Sequence, residues 1–74
     1  MSSRQEDFMK FCERLKELRK TSPYTQKAIA DELGISVTAY QYYESGKNQP
    51  SIENLIKLCD MFNVTLDYLT GRID

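Results

Sequence analysis

The stretch TQKAIADELGISVTAYQYYESG, residues 25–46, decides the fold. Thr25 precedes a run in which Ile29, Ala30 and Leu33 recur at helical spacing while Lys27, Asp31 and Glu32 fill the other side, so its hydroxyl reads as the cap of an amphipathic helix. Gly34 stops that helix, because glycine just past a helix end takes the left-handed conformation without a side-chain penalty. The chain then turns over Gly34, Ile35 and Ser36, and Ser36 caps a second helix that Gly46 ends. Two capped helices around a glycine-led turn with an apolar residue inside it form a helix-turn-helix pattern.

Working outward, Phe8, Phe11, Cys12, Leu15 and Leu18 fall three and four apart, with Lys10, Glu13, Arg14, Lys16 and Glu17 on the other side. This predicts a first helix from about Glu6 or Asp7 to Lys20, ended by "TSP" at 21–23, since the residue before proline is pushed out of helical geometry. Beyond Gly46, Ser51 is a fresh cap after the polar loop "KNQPS", and Ile52, Leu55, Ile56, Leu58, Cys59 and Phe62 make a wide apolar face, expected to be gripped by several neighbours. Val64 closes that segment. Thr65 caps a short last helix in which Leu66 and Leu69 are expected to point inward, with Gly71 ending it. The expectation is one all-α domain, 1–74, of five helices, with the motif at helices 2 and 3 and residues 1–5 poorly ordered.

Composition excludes several classes of function. At 74 residues the chain is near the lower limit for a self-sufficient core. No stretch approaches the roughly 18–20 apolar residues of a membrane span and no apolar signal core opens the chain, so a cytoplasmic protein is expected. The two cysteines, Cys12 and Cys59, form no CxxC, and the absence of histidine removes both the usual zinc partner and the commonest general base. Each cysteine reads as a small packing residue. Asp31 and Glu32 are neighbours that point about 100° apart on a helix, which is no catalytic pair. Neither an enzyme, a metal site nor a cofactor is expected.

In the second helix of the motif, Tyr40 and Tyr43 are three apart on the side of Leu33 and Ile35 and read as core. Val37, Thr38, Gln41 and Tyr42 take the opposite side and are expected to face outward. Uncharged as it is, that face suits the major groove of DNA. Val37 and the Thr38 methyl match thymine methyl groups, Gln41 matches the N6 and N7 edge of adenine, and Tyr42 a phosphate or base edge. Without an arginine to bond guanine, the expected site leans towards A·T pairs.

Together "RLKELRK", "YTQKAIADELGIS", "YYESGKNQPS" and "VTLDYLTGR" resemble, in order and spacing, the phage lambda repressor and Cro superfamily, the XRE-type regulators. The resemblance covers nearly everything from Arg14 on. It implies a five-helix domain that binds a palindromic operator in double-stranded DNA as a homodimer, with the second helix of the motif, about 37–44, in the major groove. By the same resemblance Gln26, with Lys27 beside it, contacts phosphate at one end of the motif and Lys47 and Asn48 do so after the recognition helix. Arg19 and Glu44 match a structural ion pair tying the first helix to the recognition helix. A dimer surface would come from the last two helices, with Met61, Tyr68 and Ile73 as candidates.

A net charge of −1 departs from the basic footprint of most DNA binders. The charge is graded, however: Arg14, Lys16, Arg19, Lys20 and Lys27 face only Glu17 between residues 14 and 27, whereas Glu53, Asp60, Asp67 and Asp74 outweigh Lys57 and Arg72 after Pro50. The alternative reading is a domain that kept this fold but recognises another protein through Val37, Thr38 and Tyr42.

Overall fold

The computed structural model describes residues 4–72, with side chains from Lys10 onward. Five helices follow in order: α1 (Arg4–Lys20), α2 (Gln26–Leu33), α3 (Val37–Ser45), α4 (Ile52–Phe62) and α5 (Leu66–Leu69). All regular structure among the described residues is helical, and the arrangement is the five-helix one of lambda-repressor-like domains. Helix α1 begins at Arg4, ahead of the expected Glu6 or Asp7. The expectations for residues 1–3, the Phe8 side chain and Ile73 lie outside the described residues.

Local chemistry accounts for the boundaries. The hydroxyls of Thr25, Ser36, Ser51 and Thr65 accept hydrogen bonds from the backbone N–H groups of Ala28, Ala39, Asn54 and Tyr68 at 3.0, 3.0, 3.1 and 3.1 Å, satisfying donors that a helix start leaves open. At the other end of α2, Gly34 sits at φ 71° and the Ile35 N–H reaches back to the Ala30 carbonyl at 3.0 Å, which folds the chain sharply into α3. Asn63, at φ 55°, does the same for α4, with the Val64 N–H on the Cys59 carbonyl at 3.0 Å. Asparagine tolerates this region better than most other side chains do, so Asn63 rather than the expected Val64 closes α4.

The largest fully buried side chains come one from each helix: Leu15, Ile29, Tyr40, Leu58 and Leu69. Around them Phe11, Cys12, Ala30, Leu33, Tyr43 and Cys59 complete the core. Both cysteines are free thiols, raised by burial, and act as packing residues. Helix α1 lies against α3 and α5, α2 against α3, and α4 against α2 and α5. Helix α4 nevertheless leaves Ile52 and Ile56 75% and 52% exposed, and Leu66 at the start of α5 is 46% exposed. These three correct the expectation of a fully gripped α4 and an inward Leu66. Met61 and Tyr68 instead are half-buried: Met61 packs against the core, and the Arg14 guanidinium lies 4.4 Å from the centre of the Tyr68 ring.

Candidate nucleic-acid interface

Helix α3 turns Tyr40 and Tyr43 into the core, their rings edge to face with centroids 6.3 Å apart. Helical geometry then leaves Thr38, Gln41 and Tyr42 exposed on the other side. Val37 departs from the expected outward face. It is half-buried and packs against the core, because the short turn brings the first turn of α3 beside the start of α2, where Val37 shares the wall of a shallow depression with Thr25 and Gln26. Only part of its methyl surface remains to meet a partner.

The orientation of α3 is fixed by a buried carboxylate. Glu44 is 6% exposed and takes both ends of the Arg19 fork, Nε to Oε2 at 2.6 Å and Nη2 to Oε1 at 3.0 Å. The Tyr40 hydroxyl donates to Oε2 at 2.5 Å and the Gln26 amide to Oε1 at a longer 3.4 Å. Burial by itself would raise the Glu44 carboxyl, but the hydrogen bonds from Arg19 and Tyr40, the Arg19 charge and Gln26 together hold it below the ordinary carboxylate range. Burial, followed by the bond to Glu44, pushes the Tyr40 phenol far up, so it remains a donor. Arg19 is raised through its bond to Glu44. The network joins α1, α2 and α3, and no buried side-chain polar atom among the described residues lacks a partner.

Gln26, the first residue of α2, also accepts a 3.1 Å hydrogen bond from the Gln41 amide, linking the two helices at the exposed surface. Lys27 lies beside it, 3.3 Å from Asp31, in a solvent-exposed pair of the kind that contributes little and parts readily. At the far end of α3, the Lys47 ammonium sits 5.0 Å from the centre of the Tyr42 ring. Asn48 is exposed, and its Oδ1 accepts from the Gln49 N–H at 3.1 Å. The depression between α1 and α2 is further lined by Arg19, Lys20, Ser22 and Tyr24. Lys20, Ser22 and Tyr24 are not among the site residues expected from the sequence, although the basic run from Arg14 to Lys27 marks the segment.

A helix capped by threonine, a left-handed glycine turn and a serine-capped helix with an exposed polar face define a helix-turn-helix domain. The sequence model of the helix-turn-helix family matches residues 15–69, and the chain belongs to that family, in its XRE-type branch. The chain is 48% identical over 64 residues to the cryptic phage CTXphi transcriptional repressor RstR of Vibrio cholerae serotype O1, covering 86% of this chain and 57% of the relative. It is 47% identical over 60 residues to the HTH-type transcriptional regulator AnsR of Bacillus subtilis (81% and 52%) and 41% identical over 61 residues to the HTH-type transcriptional activator BcrR of Enterococcus faecalis (82% and 30%). The chain spans about half the length of RstR and AnsR. No solved structure gives a significant match. Among the described residues no helix is long and apolar enough to cross a membrane, and no cluster of residues could hold a metal ion.

Proposed function

We propose that this domain binds a specific site in double-stranded DNA as a cytoplasmic transcriptional regulator, with α3 in the major groove, and that it represses by occupying the operator. The observation that carries the reading is the exposed row of Thr38, Gln41 and Tyr42, flanked at one end by Gln26 and Lys27 and at the other by Lys47 and Asn48. Neutral donors, acceptors and a methyl in the middle suit base edges, and cations at the ends suit phosphates. Arg19 and Glu44 hold that row in place without contacting DNA. Val37 contributes the exposed part of its methyls to thymine.

Two copies on a palindromic operator belong to the same proposal, because a nine-residue helix touches too few bases for useful specificity. The exposed Ile52, Ile56 and Leu66 offer apolar surface on the last two helices for such a pairing. Selection from random duplexes tests the reading, followed by binding of the selected sequence to Gln41→Ala and Lys47→Ala. Gln41→Ala is expected to relax sequence preference, and Lys47→Ala to weaken all sequences alike. Failure to enrich any duplex would sink the reading and favour recognition of a protein through the same face.

A further inference from the structure

We infer that Tyr42 is a positioning residue for the grip on the DNA backbone, its ring holding the Lys47 ammonium ready for a phosphate, and this rests on the DNA-binding reading above. The loop after α3 has its own main-chain donors turned inward. The N–H groups of Gly46, Lys47 and Asn48 all reach back to the Tyr42 carbonyl, the last two at 3.0 and 3.3 Å, with Gly46 left-handed at φ 84°. Donors that close a helix are not offered to DNA, so the grip at this end falls to side chains. Lys47 is the one charged residue in the loop from Gly46 to Pro50.

A lysine on an exposed loop samples many rotamers, and ordering it on binding cancels part of what its contact contributes. Two kinds of neighbour can hold an ammonium beforehand. A carboxylate does so by neutralising it, as Asp31 does for Lys27 at 3.3 Å. An aromatic face does so while leaving the charge whole. Lys47 has the second kind: its ammonium lies 5.0 Å from the centre of the Tyr42 ring, and among the described residues no ion pair includes it. An ammonium carries three N–H donors, so one directed at a ring leaves others for phosphate oxygens. In a chain of net charge −1, a cation held without being neutralised matters more than in a strongly basic one. Tyr42 thus fixes the loop backbone through its carbonyl and the loop charge through its ring, which ties the phosphate contact to the register of α3. The working part of the side chain is the ring face and not the hydroxyl. Phosphate contacts carry no sequence information, so the effect should be the same on every duplex.

The test compares Tyr42→Leu, Tyr42→Phe, Lys47→Ala and the double variant Tyr42→Leu with Lys47→Ala, on the selected duplex and on an unrelated one. Tyr42→Leu is expected to weaken both by about two- to fivefold for each domain bound. Tyr42→Phe keeps the ring face and should restore what Tyr42→Leu loses. The double variant should bind no more weakly than Lys47→Ala alone. A Tyr42→Phe variant as weak as Tyr42→Leu would make the hydroxyl the working group, and a loss confined to the selected duplex would make Tyr42 a base contact. Either overturns the inference and leaves the DNA-binding reading intact. A second readout needs no DNA: in the NMR spectrum of the free wild-type chain, the Lys47 side-chain methylene protons next to the ammonium should be displaced upfield by the ring and return to ordinary lysine values in Tyr42→Leu. Ordinary values in wild type would overturn the inference whatever the duplex experiments give.

Discussion

Arg19 and Glu44, on the first and third helices, form a two-pronged ion pair in which the glutamate side chain is 5% exposed and the arginine side chain 21%. Pairs at a surface contribute about 0.2–1 kcal/mol, whereas breaking a buried one costs ~3–5 kcal/mol, and this pair lies between the two. Replacing Glu44 by Gln sets an NH2 group against a donor of Arg19 or Tyr40. Glu44→Gln is expected to lower the urea midpoint with the slope unchanged, by more than an exposed pair would account for. Equal midpoints for variant and wild type would contradict the anchoring role.

The same carboxylate predicts an acid limb. Its folded value lies below the ordinary glutamate value of about 4.3, so the unfolded chain binds more protons in between. The stabilisation is therefore complete above the ordinary value and is lost as pH falls through the folded one. Unfolding in urea from pH 6 down to pH 3 should show a steeper loss below about pH 4.3 in wild type than in Glu44→Gln. Parallel curves would show that Glu44 does not supply it.

Two glycines should respond differently to a methyl group. Gly34, at φ 71°, has open space around it, so Gly34→Ala is expected to cost only the left-handed penalty of about 1–2 kcal/mol, and Gly34→Asn less. At Gly71, φ 81°, an added Cβ would fall 2.7 Å from the Lys10 Cβ and 2.9 Å from its Cδ, so Gly71→Ala adds a clash between the chain end and α1. Thermal melts should rank Gly71→Ala below Gly34→Ala. The reverse order would mean that the segment after α5 does not hold its place against α1.

Charge sets the expected salt dependence of DNA binding. Each neutralised phosphate adds about 0.9 to the slope of log affinity against log salt, and the flanking cations Lys20, Lys27 and Lys47 give about three per domain. Lys47→Ala should reduce the slope by roughly one for each domain bound. Tyr42→Leu removes the ring under Lys47 and should alter affinity without changing that slope. A slope typical of strongly basic regulators would show that other cations reach the duplex.

The exposed apolar row predicts how copies pair. Ile56→Glu and Leu66→Glu change residues that the core does not enclose, so the melting temperature should move little. Cooperative binding to an inverted repeat should weaken by about tenfold or more, and binding to a single half-site should be unaffected. Equal loss on both duplexes would place the pairing surface elsewhere.

Much of this protein follows from local rules. Thr25, Ser36, Ser51 and Thr65 cap helices because a hydroxyl two or three residues ahead of an open N–H satisfies it whatever the rest of the chain does. Gly34 turns the chain because only a residue without Cβ enters the left-handed region freely. Tyr40 and Tyr43 were legible as core from spacing, and the Arg19–Glu44 pair was expected from resemblance.

Tertiary structure decided what depends on partners distant in sequence. Helical spacing marks Ile52 and Ile56 as part of an apolar face but cannot say which part of it a neighbour covers, and both remain exposed in the folded chain. Val37 is drawn half inward by the nearness of α2, and Gln26 meets Gln41 across fifteen positions of chain. A side-chain amide has no preferred direction until an acceptor with no alternative, here Glu44, is brought against it, and only the folded packing of three helices does that.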